Sequence, residues 1–195
     1  MDRLQEYYKN ALLANLCGEW KGYWQAASHD KEKLVRLAMA QQSLPHMMTF
    51  ANEGKGLTKE YILDTFGEYI NGKYVGIDVD GVAGGYRTEL YVGYNGVLEL
   101  SDDVLAMMWC IVPSLSLKPA KATKIYVSNS SEVHLVCEGY NNATVMLFDD
   151  STVWLDDIDP ESNVTIYRYS PKARVEIGDY CLSGKVRQFD KLLRL

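Results

Sequence analysis

One short pattern recurs through the last third of the chain: a small residue, any residue, Val, any residue, then Leu or Ile. It reads Ser131-Glu132-Val133-His134-Leu135 and Ala143-Thr144-Val145-Met146-Leu147, then Ser151-Thr152-Val153-Trp154-Leu155. It continues as Ser162-Asn163-Val164-Thr165-Ile166 and Ala173-Arg174-Val175-Glu176-Ile177, and closes on a worn copy, Gly184-Lys185-Val186-Arg187-Gln188. The valines step by 12, 8, 11, 11 and 11 residues. A repeat of this kind constrains architecture more tightly than composition does. Alternation of apolar and other residues marks a strand with one buried face, so each copy predicts a short strand followed by a turn.

Two architectures suit such units. In a β-solenoid the small residue makes a tight corner, and successive coils stack about 4.8 Å apart. In an antiparallel meander the 11-residue steps are hairpins. The invariable small residue two positions before each Val suits a corner of fixed geometry. Hairpins would show Asn-Gly or Asp-Gly between strands, and neither occurs after Gly96. The solenoid is therefore the predicted form, with two units per coil and the meander as the alternative. A stack this short needs support from the rest of the chain, and Phe189 to Leu195 is expected to cap its open end.

Upstream, residues 1–70 read as a helical region. Leu4, Tyr8, Ala11, Leu12 and Leu16 follow helical spacing. Asp30 is a candidate N-cap for a helix carrying Leu34, Leu37, Ala38 and Gln41, with Pro45 at or beyond its end. Thr58 can cap a third helix, with Leu57 stapling to Ile62. Glu60, Asp64 and Glu68 on that helix, and the long connection before it, argue against a DNA-reading helix-turn-helix.

Residues 71–123 read as a small antiparallel β region. Asn71-Gly72 is a turn signal, Lys73 to Asp78 a candidate strand, and Arg87 to Tyr94 turns through Asn95-Gly96 into Val97 to Leu100 as a hairpin. Ser101 or Asp102 is placed to cap a short helix through Met108. Ile125 to Val127 is the expected opening strand of the repeat region, 124–195. The fold class is thus α+β: N-terminal helices, a small antiparallel β region and a C-terminal short β-solenoid in one compact unit.

The net charge of −6 over 195 residues argues against a general affinity for nucleic acid, which depends on clustered Lys and Arg. Charge is nevertheless uneven. Glu138 to Glu161 holds seven acidic residues and no basic one, whereas Val164 to Leu195 holds seven basic and three acidic. Cys17, Cys110, Cys137 and Cys181 are too dispersed for a zinc site. No signal-peptide core and no apolar run of membrane-spanning length are present. A soluble protein of the cytoplasm with reduced thiols is expected.

Tyr69-Ile70-Asn71-Gly72-Lys73-Tyr74, the tyrosine-rich hairpin, the repeats and the closing Lys185-Val186-Arg187-Gln188-Phe189-Asp190-Lys191-Leu192-Leu193-Arg194 together carry a resemblance. They resemble a group of uncharacterised proteins encoded in prophages and mobile elements of gut bacteria, over nearly the whole chain. The resemblance implies a phage or mobile-element setting. It implies no activity and no site residues.

Residues suited to catalysis or metal binding are sparse and scattered. His29, His46 and His134 stand without a sequence-evident nucleophile or orienting partner. Asp78-Val79-Asp80-Gly81, with Glu89 at the twelfth position, echoes a calcium loop but lacks its required glycine. Asp149, Asp150, Asp156, Asp157, Asp159 and Glu161 form the densest carboxylate group, in turn-like segments where Asp is favoured anyway. No catalytic residue, metal site or cofactor is assigned. Outward strand positions are more informative. Trp154 is costly to expose, and Tyr167, Arg168 and Tyr169 follow one unit later, so these four are the candidate partner-binding patch. The leading expectation is a non-enzymatic interaction protein with a protein partner, a second copy included. A carbohydrate- or ligand-binding virion or surface component is the alternative, and a glycan hydrolase or lyase using the carboxylates the third.

Overall fold

In the computed structural model of the chain, the described residues are 8, 9, 12, 13, 18–28, 30–40, 43–52, 58–72, 88–100, 104–118, 122–181 and 185–191. The chain divides into two compact units, Met1–Leu90 with Leu195, and Tyr91–Arg194.

The first unit carries helices α1 (Gly18–Ala26), α2 (Lys31–Met39), α3 (Leu44–Asn52) and α4 (Lys59–Phe66), followed by a 3-10 turn at Gly67–Tyr69. Two start signals act as expected. The Asp30 carboxylate accepts the Lys33 N–H at 3.1 Å, and the Thr58 hydroxyl accepts that of Tyr61 at 3.2 Å. Each satisfies a donor that the first helical turn leaves unpaired. Pro45 lies beyond the end of α2, in the first turn of α3, where its missing N–H costs nothing. The connection from Gln42 to Leu57 therefore contains a helix that periodicity missed. Of the helix expected over Leu4 to Leu16, the described residues 8, 9, 12 and 13 are helical. Leu57, and the candidate strand at 73–78, lie outside the described residues. Among the described residues, no helix is long and apolar enough to cross a membrane.

The strands are β1 (Thr88–Val92), β2 (Leu98–Leu100), β3 (Val104–Met108), β4 (Ile111–Leu117), β5 (Ala122–Ser128) and β6 (Glu132–Cys137). They continue as β7 (Asn142–Leu147), β8 (Thr152–Ile158), β9 (Asn163–Arg168), β10 (Arg174–Cys181) and β11 (Val186–Asp190). Odd-numbered strands form one sheet in the order β1-β3-β5-β7-β9-β11, and even-numbered strands the other, β10-β8-β6-β4-β2. Each registered pairing is parallel. The chain thus winds as a two-sheet β-solenoid of about five turns, with two strands per coil.

Among the described residues, no registered pair is antiparallel. β1 and β2, taken from the sequence as a hairpin, belong to different sheets, and Asn95-Gly96 is a solenoid corner between them. The segment expected to be helical through Met108 is strand β3, all five of whose residues are buried. Leu, Ala and Met favour helices in isolation, but burial on both faces overrides so weak a preference.

Three inward columns fill each sheet. In the even sheet, Val112, Val133, Val153 and Val175 stack in register, as do Leu98, Leu115, Leu135, Leu155 and Ile177. In the odd sheet the middle column is Leu105, Ile125, Val145, Ile166 and Gln188. One unit is out of phase with its sequence motif. Ala143, not Val145, occupies the position of Val164, and Val145 pairs Ile166. With Ala143 in the valine place, the uneven steps of 12 and 8 become 10 and 10.

The serines of the pattern, Ser131, Ser151 and Ser162, are corner residues, for a physical reason. Ser131, Ser151 and Ser162 are at most 1% exposed and turn inward, where a larger side chain would collide with the stack. Their hydroxyls then satisfy corner backbone. Ser131 Oγ donates to Ser128 O at 2.6 Å and accepts the Cys110 N–H at 3.0 Å. Ser162 Oγ accepts the Asn141 N–H at 3.0 Å, and Ser151 Oγ donates to Phe148 O at 2.6 Å. Buried corners without such partners would be costly.

The last coil differs from the others. Gln188 ends an apolar column, and Asp190 ends another by pairing with Arg168 at 2.7 Å. Val175 and Val186 are half-buried, and Ile177 is 48% exposed. A charge in the middle of the stack should therefore be far costlier than one at its end. Val164→Asp, at a position of no exposure, is expected to cost about 4 kcal/mol or more, the scale of a buried unpaired charge. Val175→Asp should cost less than half as much. Urea unfolding of both variants checks this, and equal losses would contradict the stack order.

Candidate functional site

The best-organised polar cluster lies on the outer face of the five-stranded sheet. Strand alternation turns His134 outward between Val133 and Leu135, and in-register pairing sets Trp154 beside it. The two rings stack with centroids 5.5 Å apart and planes 5° from parallel. A β-bulge then adds one residue to β8. Leu135 pairs Leu155 but Val136 pairs Asp157, which leaves Asp156 as the extra residue. Its carboxylate reaches back to His134 Nδ1 at 2.9 Å. Bulges commonly redirect side chains in this way. On the other side, Glu132 Oε1 lies 3.6 Å from His134 Nε2.

His134 therefore has the orienting partner that the sequence did not reveal. The signal was present: residues 20 to 22 apart are neighbours in adjacent coils, and His134 and Asp156 are 22 apart. Nδ1 is hydrogen-bonded to the Asp156 carboxylate, which orients the ring, whereas Nε2 lies 3.6 Å from Glu132 Oε1, beyond hydrogen-bond distance. The His134 ring also occupies one face of Trp154, which a sugar would otherwise use. The Trp154 Nε1 atom is buried and has no hydrogen-bond partner among the described residues.

The four residues assigned to a partner-binding patch do not meet. Trp154 is on β8 of the five-stranded sheet, whereas Tyr167 and Arg168 are on β9 of the six-stranded sheet, and Tyr169 follows them at the corner. Consecutive units alternate between sheets, so neighbours in sequence face opposite ways. Tyr167 stacks on Phe189 at 5.5 Å, with the Lys191 ammonium 4.0 Å from its ring centroid. Tyr169 stacks on Phe148 at 5.0 Å, and Arg168 is held by Asp190. Further along this aromatic face, burial pushes the Tyr126 hydroxyl up to about 12.

The carboxylates are dispersed as well. Asp149 and Asp150 lie at the corner before β8, Asp156 and Asp157 on the strand, and Asp159 and Glu161 at the corner after it. Asp149 serves the fold: it accepts the N–H groups of Asn129 and Ser130 and the Ser128 hydroxyl from the preceding coil. Burial pushes its pKa up, against the effect of these donors. Asp159 accepts the Glu161 N–H at 2.8 Å, closing an Asx turn. Among the described residues, no group of three or more His, Cys, Asp or Glu is placed to hold a metal ion. The calcium-like segment, residues 78–89, lies outside the described residues except for Thr88 and Glu89. His46 lies on α3, where burial lowers its pKa.

Of the segment expected to cap the stack, Phe189 to Leu195, Phe189 and Asp190 belong to strand β11, and 192–195 lie outside the described residues. Ile177, Tyr180 and Phe189 are 48%, 79% and 47% exposed, and all three lie on the last coil. The worn repeat, with Gln188 where Leu or Ile is the rule, marked that coil as different. Comparison with protein-family models, curated proteins and solved structures returned no match.

The His134–Trp154 stack is open to direct measurement. A double-mutant cycle of His134→Ala and Trp154→Ala, read by urea unfolding, is expected to give a coupling of about 0.5–1.5 kcal/mol, the usual scale for stacked rings. Strict additivity of the two changes would show that the rings do not stack in solution.

Proposed function

We propose that this protein is a non-enzymatic interaction module, and that its binding surface is the last coil of the solenoid. The observation that carries this reading is the coincidence, on β10 and β11, of exposed apolar side chains with sheet edges that have no further strand among the described residues. Such edges present unpaired N–H and C=O groups, and a partner strand satisfies them. Exposed Ile177, Tyr180 and Phe189 add the apolar and aromatic anchors that dominate interface energetics. Charge supports the same reading, since Arg174, Lys185, Arg187 and Lys191 lie on or beside these strands.

The acidic residues from Asp149 to Glu161 are spread over two corners and a strand, which supports the interaction reading over a single catalytic cluster. A sugar-binding platform at Trp154 would have to share its ring with His134. The interaction reading needs neither.

Ile177→Ser, Tyr180→Ser and Phe189→Ser are combined, and because Ile177 packs on Leu155 and Phe189 stacks on Tyr167, far-UV circular dichroism and urea unfolding first verify that the variant keeps its fold. Immobilised wild-type and triple-variant protein are compared for what each retains from a cell extract. A partner held by the wild type is expected to bind the variant at least about tenfold more weakly. Identical sets of bound proteins at equal strength would contradict the assignment.

A further inference from the structure

We propose that the occupant of the last coil is a second copy of this chain, stacked end to end so that β10 pairs with β10 and β11 with β11 across a two-fold axis. The proposal rests on the last coil being a binding surface, as argued above. Three features of that coil select a second copy.

The first is spacing. β10 and β11 end different sheets, and packed sheets lie about 10 Å apart. A single extended peptide can add to only one of these edges. The same end of a second copy offers two strands with the separation required.

The second is direction. All registered pairs within each sheet are parallel, and the chain reverses at each corner, so β10 and β11 run opposite ways. An axis perpendicular to both the strands and the stacking direction lays each strand on its own copy with direction reversed. That is the antiparallel ladder, and the interface is isologous.

The third is register. Ile177 continues the middle column of Leu155, and Gln188 that of Ile166. The axis is centred on Ile177 and Gln188, with the ladder of β10 regular from Arg174 to Ile177 and shifted by a bulge before Tyr180. Ile177 then meets Ile177 of the second copy, extending the core by one apolar contact. Gln188 meets its own copy, and an amide, being donor and acceptor at once, is complementary to itself. On the outer face Arg187 comes opposite Phe189 of the second copy, twice. Residues directly opposite in an antiparallel pair share a face, and a cation over an aromatic ring is a favourable pair. Lys191 already makes such a contact with Tyr167 within the chain. Val186 falls opposite Asp190, and just beyond the strand Lys185 comes opposite Lys191, a like-charge pair at the rim that higher salt should relieve.

The test uses the full chain and the Gln188→Lys variant, which places two like charges at the axis. Gln188 is exposed, so the variant is expected to fold, as far-UV circular dichroism verifies. Sedimentation velocity and amide hydrogen exchange are measured over a range of protein concentration. The wild type is expected to approach twice the mass of one chain as concentration rises, while amides of β10 and β11 become slower to exchange. Gln188→Lys should stay at the mass of one chain. A wild type that remains monomeric throughout would overturn the proposal, and so would a dimer indifferent to Gln188→Lys or protected elsewhere. Should the chain be monomeric while the triple variant still loses a captured partner, the second copy is excluded and the binding surface stands. Failure of both experiments would remove the surface itself.

Discussion

Each coil of this solenoid depends on the in-register parallel pairing of its strands with those of the coils above and below. One turn of about 20 residues cannot enclose a core of its own. Stacking solves this by letting the same inward positions meet in every coil, so that Val133 sits on Val153 and Leu135 on Leu155. Each fully buried aliphatic side chain contributes about 1.5–3 kcal/mol, but only with neighbours on both sides. Stability is therefore shared between adjacent coils, and the last coil, with a neighbour on one side only, is the weakest and the most available.

Polar groups follow the same logic. Ser131, Ser162 and Asp149 satisfy backbone donors of the preceding coil, which ties each corner to the one before it. Outward side chains stack in ladders for the same geometric reason. His134 lies on Trp154 and Tyr167 on Phe189, each pair about one coil apart in sequence. These ladders are a property of the stack before they are a site. The functional reading accordingly falls on the place where the ladder stops, at β10 and β11.

Much of this was legible in the residues. The valine and leucine columns of β6, β8 and β9 were readable from the alternation, and the small corner residues favoured a solenoid over a meander. What escaped has identifiable causes. The Ala143 unit slipped by two residues because its register is held by the Asn141 corner, bonded to Ser162, and not by its only valine. The Asn95-Gly96 dipeptide looked like a hairpin because a solenoid corner also accepts residues suited to tight turns. β3 looked helical because its composition is helix-favouring, and only tertiary burial makes it a strand. The patch of Trp154 with Tyr167, Arg168 and Tyr169 came apart because alternate units feed opposite sheets, which a one-dimensional repeat does not reveal.

The pairing of β7 with β9 is where register and strand direction can be tested together. In a sample with labelled methyl groups, nuclear Overhauser contacts between Val145 and its cross-strand neighbour are the most direct measurement. The stack described here requires strong contacts from Val145 to Ile166 and from Ala143 to Val164, in the parallel sense. Contacts of Val145 with Val164 as in-register partners, or an antiparallel pattern between these strands, would contradict it.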